Sequence, residues 1–346
     1  MRACPARGAP TTLRRMDPHR RILAARGRPT GWWAAGSAGA DYGRTDAPDW
    51  RTVHWAEHMR AVTVESRRIH IVDLGTACGM PILLVHGLGG RWQNWIENLA
   101  PLAQRGRVVA IDLPGFGRSQ MPVEPISIEG YAHTLERVCD LLELEAPLVV
   151  GNSLGGSVVA EFALRFPARV GALAFVSAAC LTPADLDSRT AQLALVAGGR
   201  IAGSLLRGHT GAVARPRARH LLWSALLRHP TRIAPDTLVE LAGESRPPGA
   251  AGALAALSLH DVSSELGEIR APTLVVHGRD DVLIPCSDSE ALAQMIVGSE
   301  LVVFEDTGHI PMAERPLRFN AALRGFAERV RPESEAGSLD GRDRAK

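Results

Sequence analysis

One serine, one histidine and an aspartate in this sequence have the types and settings needed to cleave an acyl bond. Ser153 stands in Gly151-Asn152-Ser153-Leu154-Gly155-Gly156, after the apolar run Pro147-Leu148-Val149-Val150 and before a helix-patterned stretch from Val158 to Phe166. The spelling G-x-S-x-G arises often by chance, and a Gly-Ser turn without chemistry reads the same. Between a buried strand and a helix it gains a mechanical meaning. Chain reversal there puts Ser153 in a strained backbone conformation, and only neighbours as small as Gly151 and Gly155 let strand and helix approach so closely. The hydroxyl is then held out at the carboxyl edge of a sheet. The amide of Leu154 lies at the start of the helix, where the dipole favours a developing negative charge.

A serine hydroxyl is a poor nucleophile until a base takes its proton and a third group orients that base. Candidates for both roles lie downstream. Pro272-Thr273-Leu274-Val275-Val276-His277-Gly278 reads as a buried strand running into Arg279-Asp280-Asp281-Val282-Leu283-Ile284-Pro285, so a carboxylate, Asp280 or Asp281, sits just past its end. A further strand pattern, Leu301 to Phe304, leads to Glu305-Asp306-Thr307-Gly308-His309-Ile310-Pro311 and places His309 in a loop before a helix. The chain holds 12 histidines, and such residues more often serve surface or core than chemistry. The strand-to-loop setting and the Gly-His pair single out His309. The resulting order of Ser, Asp and His differs from those of the chymotrypsin and subtilisin folds.

The run Ile82-Leu83-Leu84-Val85-His86-Gly87-Leu88-Gly89-Gly90 is an apolar strand ending in a glycine-rich loop. No Gly-Lys-Ser/Thr follows, and the spacing does not fit a dinucleotide fingerprint, which argues against a phosphate cradle. In an acyl-transfer site the glycines let the backbone amide of Leu88 turn towards the substrate, a second oxyanion donor beside that of Leu154. His86 is read as a packing or hydrogen-bonding residue at the strand end and not as a base.

Taken together, these motifs resemble the α/β-hydrolase superfamily, in the serine hydrolase branch that carries a helical cap. The resemblance rests on His86-Gly87-Leu88-Gly89, on Asp112-Leu113-Pro114-Gly115-Phe116-Gly117-Arg118-Ser119, on the Ser153 elbow, on Gly278 to Pro285 and on Gly308-His309, spanning about residues 60–330. It implies an α/β fold with an eight-stranded, mostly parallel sheet, helices on both faces and an inserted helical cap. In such families the triad acid stands three residues after the glycine and four before the proline, a pair of spacings that only Asp281 meets. Asp280 stays an alternative, because a loop can present either of two adjacent carboxylates. Asp112 resembles a family turn residue and is read as a structural cap of its loop.

The mechanism implied is acyl transfer to water. Ser153 attacks a carbonyl, His309 takes its proton, Asp281 holds the imidazole tautomer, and the amides of Leu88 and Leu154 bind the oxyanion. The expected substrate is a small carboxylic ester with an apolar acyl or alcohol part; no cofactor and no metal are expected. Within the superfamily the same triad also serves carbon-carbon bond hydrolases and cofactor-free haloperoxidases or perhydrolases. Asn152 echoes the carbon-carbon hydrolases, whereas Ile310-Pro311-Met312-Ala313-Glu314-Arg315-Pro316 lacks the tryptophan they place after the histidine. A serine at position 153 argues against epoxide hydrolases and dehalogenases, which use aspartate there. A non-catalytic receptor or scaffold on the same fold is a further alternative, distinguished by labelling of the serine.

These residues need elements to position them. With 346 residues, 46% hydrophobic and 22% charged, the chain can hold one large core plus an inserted subdomain. Its net charge of +2 and the lack of aromatics interleaved with a basic stripe point away from nucleic acid. Cys4, Cys78, Cys139, Cys180 and Cys286 are dispersed and lack metal-ligand spacing, as expected of reduced thiols in a cytoplasmic protein. No apolar run reaches the ~18 residues of a transmembrane helix. The oligomeric state is not readable from the sequence.

Residues 1–50, rich in Arg, Pro, Gly and Ala, show no sustained period and are expected to be a disordered tail, with Trp32-Trp33 of unknown contact; residues 333–346 are expected to be another. Residues 51–180 and 263–332 alternate strand and helix patterns, as a parallel sheet covered on both faces requires. Ser127 is predicted to cap a helix carrying Tyr131, Leu135, Val138 and Leu142, and Phe319, Leu323, Phe326 and Val330 form a second stripe. Between them, residues 181–262 are predicted to be a helical cap, with breakers at Pro216, Pro230, Pro235 and Pro247-Pro248. Leu221, Leu222, Trp223, Leu226 and Leu227 give this insertion an apolar surface, and His209, His220, His229 and His260 are read as surface residues.

Overall fold

The computed structural model of the protein describes residues 39–181, 215–242 and 247–331. Its centre is an eight-stranded sheet in the order β1-β2-β4-β3-β5-β6-β7-β8. The strands are β1 (Met59–Val64), β2 (Arg67–Leu74), β3 (Ile82–Val85), β4 (Val108–Ile111), β5 (Leu148–Asn152), β6 (Ala172–Val176), β7 (Thr273–Gly278) and β8 (Glu300–Phe304). β2 pairs antiparallel with both β1 and β4, and every other pairing is parallel. Every residue of β3, β4, β5, β6 and β7 is buried, which is why these strands read as unbroken apolar runs and not as alternations.

Side chains of one strand alternate between two core layers. Leu83 and Val85 face the layer that holds Tyr131, Leu135, Val138 and Phe162, while Ile82 and Leu84 face the one that holds Trp95, Leu99, Phe319, Leu323 and Phe326. Both predicted helical stripes form. Ser127 accepts the Gly130 N–H at 2.9 Å and caps the helix Ile128–Leu141. In the helix Pro316–Val330 the stripe is buried through Phe326, and Val330 is only partly covered.

The insertion between β6 and β7 is helical where it is described, with helices Pro216–Trp223, Pro235–Leu241 and Ala250–Leu259; residues 182–214 and 243–246 lie outside the described residues. Pro216, Pro230 and Pro235 each open a helical turn, the position where a missing N–H costs nothing. Trp223 and Leu227 are buried in the layer of Trp95 and Phe319, whereas Leu221 is exposed. Two histidines expected at the surface are largely covered: the His229 side chain bonds Asp306 at 2.8 Å, and His260 sits near Glu129 and Glu161.

The expected disordered tail is corrected at its far end. Residues 39–50 pack on the domain, with Tyr42 and Trp50 only 4% and 8% exposed. The Trp50 indole donates to the buried Glu97 at 3.0 Å, and Glu97 also accepts the Thr237 hydroxyl at 2.8 Å. The sequence concealed this because single aromatics without a period carry no pattern; their partners lie far away along the chain. Trp32-Trp33 and residues 332–346 lie outside the described residues. Trp50→Ala is expected to lower the melting temperature by about 5–10 °C, since emptying a buried tryptophan site costs ~3–5 kcal/mol. Differential scanning calorimetry checks this, and an unchanged melting temperature would show that the segment adds no stability.

Candidate active site

The turn from β5 into the helix Leu154–Arg165 holds Ser153 at φ 55° and ψ −119°, the strained reversal expected from its neighbours. Its N–H bonds the Val176 carbonyl of β6 at 3.0 Å, and its own carbonyl accepts the amides of Gly156 and Ala179. The flanking glycines are sterically required. A Cβ on Gly151 would stand 2.2 Å from the Gly155 carbonyl oxygen, and one on Gly155 would stand 2.6 Å from that of Val85.

The glycine loop after β3 lies against this elbow, close enough that a Cβ on Gly87 would meet the Ser153 Cβ at 3.0 Å. Leu88 follows, partly buried, and Leu154 is fully buried as the first residue of its helix, where amides lack intrahelical acceptors. The loop is anchored from beneath. His86 Nδ1 lies 2.8 Å from the Gly87 carbonyl and its Nε2 accepts the Leu113 amide at 3.0 Å, so Nδ1 carries the proton. Burial lowers the pKa of His86, which keeps the ring neutral. Asp112 accepts the amides of Trp92 and Arg118 and pairs with His70, so it caps two loops at once.

His309 occupies the loop after β8, and its Nδ1 lies 2.7 Å from Asp281 Oδ2. A carboxylate can only accept, so the proton sits on Nδ1 and Nε2 is left to take one. The Asp281 side chain is fully buried, and its Oδ1 accepts the amides of Leu283 and Ile284 at 2.8 and 3.1 Å. Burial pushes this carboxyl up, but the interactions with His309 and His277 and the Ile284 amide bond outweigh it and hold the group below its ordinary range. Asp280 turns outward: its side chain is 39% exposed and lies 3.7 Å from the Arg228 guanidinium. Geometry therefore separates the two adjacent carboxylates. Asn152, beside the serine, donates to the Val176 carbonyl at 3.0 Å and to that of His309 at 3.5 Å, tying the elbow to the histidine loop.

Sequence reading missed two buried partners. His277 in β7 bonds Ser289 Oγ at 2.7 Å and approaches Asp281 Oδ2 at 3.5 Å; a histidine inside an apolar strand was the available signal. Glu314 is fully buried behind the histidine loop and accepts the Gly308 amide at 2.8 Å. Burial pushes its carboxyl up to about 7, against hydrogen bonds from Tyr42, Arg228 and Gly308. Among the described residues no group of three or more His, Cys, Asp or Glu could hold a metal, and no helix is long and apolar enough to cross a membrane.

A mostly parallel sheet with a sharp serine-bearing turn after β5 and an Asp-His pair after β7 and β8 defines an α/β-hydrolase architecture. Residues 80–316 match the alpha/beta hydrolase fold family. A 2-hydroxy-6-oxo-2,4-heptadienoate hydrolase of Pseudomonas putida is 30% identical over 286 residues, covering 78% of this chain and 96% of that protein. An uncharacterised protein of Mycobacterium tuberculosis is 31% identical over 270 residues, covering 73% and 77%. Among solved structures, a thermophilic esterase from Thermogutta terrifontis superimposes with a TM-score of 0.62 at 26% identity, covering 79% of this chain and 99% of that one. The chain belongs to the α/β-hydrolase family, and it is a hydrolase.

Proposed function

We propose that this hydrolase cleaves carboxylic esters with an apolar acyl or alcohol part through an acyl-enzyme on Ser153. In this reading His309 is the general base and later the acid, Asp281 orients it, and the amides of Leu88 and Leu154 hold the oxyanion. The observation that carries the reading is the 2.7 Å His309–Asp281 pair, tied through Asn152 to the strained Ser153 turn. The insertion of residues 181–262 serves as the cap over the substrate. The unpaired state of Cys78, Cys139, Cys180 and Cys286 supports a reducing, cytoplasmic setting.

A second reading, carbon-carbon bond hydrolysis, is favoured by the 30% identity to the Pseudomonas putida enzyme and by Asn152. Such a substrate carries a carboxylate that needs an inward cation. Arg219 instead donates to the carbonyls of Thr231 and Ile233, Arg91 donates to that of Glu240, and Arg215 and Arg217 are exposed; Arg200 and Arg207 lie outside the described residues. Among the described residues these four arginines offer no inward cation, which favours ester turnover. With p-nitrophenyl esters, kcat/KM is expected to rise from acetate to about hexanoate, each buried methylene contributing up to ~0.8 kcal/mol, and then to fall. Vinylogous diketone acids measured on the same preparation should be poor substrates. A higher kcat/KM for the diketone acid, lost on replacing one cap arginine, would hand the function to the second reading.

A further inference from the structure

The carboxyl group of Glu314 joins segments that lie far apart in the sequence. Its Oε1 accepts the amide of Gly308, the residue before His309. Its Oε2 accepts the amide of Arg228 in the insertion at 2.8 Å and the phenol of Tyr42 at 2.5 Å. The Tyr42 oxygen in turn accepts the His229 amide at 2.8 Å, and the Gly43 amide donates to the Glu314 carbonyl at 2.8 Å. The histidine loop is tied to the same insertion segment three times more, by the His309 amide to the Leu226 carbonyl at 2.9 Å, by Asp306 to the His229 ring and by Asp306 to the Arg228 guanidinium at 3.5 Å. Asp41 pairs with Arg315 and Arg318, and the Arg315 guanidinium lies over the Tyr42 ring.

A buried carboxylate oxygen and a buried amide each lose their solvent partners on folding, so each depends on the partner supplied by the protein. The phenol of Tyr42 serves both at once. Without it, Glu314 Oε2 keeps one donor and the His229 amide loses its acceptor, which loosens the contact that fixes Gly308. Displacing the adjacent imidazole by about 1 Å is enough to cost up to ~10²-fold in rate.

We propose that Tyr42, acting through the Glu314 carboxyl, is a positioning residue for His309. This rests on the reading of His309 as the base, and it extends the working parts of the enzyme to a residue ahead of the α/β core. In Tyr42→Phe, kcat for a p-nitrophenyl ester should fall about five- to tenfold with KM changed less than about twofold, because the loss falls on positioning and not on substrate binding. The downfield proton resonance of the His309–Asp281 hydrogen bond should shift or broaden in the same variant. Trp50→Ala serves as the control, since it destabilises the same segment without touching Glu314; at 25 °C it should keep the wild-type kcat and resonance. A wild-type kcat and an unmoved resonance in Tyr42→Phe would overturn the proposal, as would an equal loss of kcat in Trp50→Ala. Should Tyr42→Phe not fold, Glu314→Gln carries the same test, because it keeps an acceptor for one amide and presents an NH₂ to the other donors. If the wild-type protein turns over no ester, the ester reading fails, and the resonance still decides the positioning role without any substrate.

Discussion

Ser153→Ala is expected to reduce ester turnover by roughly 10³-fold or more and to abolish labelling by a fluorophosphonate, with the fold intact. The Ser153 side chain makes no capping hydrogen bond to its helix, and the turn is held by backbone bonds to Val176, Gly156 and Ala179 that alanine preserves. His309→Ala should bring a loss of similar size, and the double variant little more, since a nucleophile without its base and a base without its nucleophile are disabled alike. Retention of both turnover and labelling in Ser153→Ala would remove the serine from the mechanism. Labelling also bears on the alternative of a non-catalytic receptor, whose serine would have no activated hydroxyl.

Asp281→Asn is expected to lower kcat by about 10³–10⁴-fold, while Asp280→Asn stays within about fivefold of the wild type. In Asp281→Asn the side-chain carbonyl settles where Oδ1 already accepts two amides, those of Leu283 and Ile284. The amide NH₂ then faces His309 Nδ1, which must accept a hydrogen bond and give up its proton. The ring is driven to the tautomer protonated at Nε2, the nitrogen that should receive the serine proton. Asp280 makes only a long, solvent-screened contact with Arg228 at 3.7 Å, so its neutralisation leaves the His309–Asp281 pair unchanged. Steady-state kinetics on both variants settle the ranking, and the reverse order would assign the orienting role to Asp280.

Much of the architecture was legible in the chain because it depends on local pattern. Ile82–Val85, Leu148–Asn152 and Thr273–Gly278 read as apolar runs since strands buried on both faces have no polar side, and the Ser127 cap and the Phe319 stripe obey helical spacing. Ser153 was legible for the same reason: strand, glycine, serine, glycine and helix are contiguous, and the geometry of such a turn is set by its immediate neighbours. The choice between Asp280 and Asp281 was not set by the residues alone, because two adjacent carboxylates are chemically identical. The fold decides it by turning one towards His309 at 2.7 Å and the other towards solvent and Arg228. Tyr42 and Trp50 were hidden altogether. Tyr42 meets Glu314 across 272 positions and Trp50 meets Glu97 across 47, and a contact between such distant residues leaves no period in either segment. The sequence by itself thus determined the strands, the helices and the sharp turn at Ser153, each a product of near neighbours. Only the tertiary structure decided which acid faces the histidine and which remote side chains brace its loop, because burial and hydrogen-bond partners exist only once the distant segments are packed together.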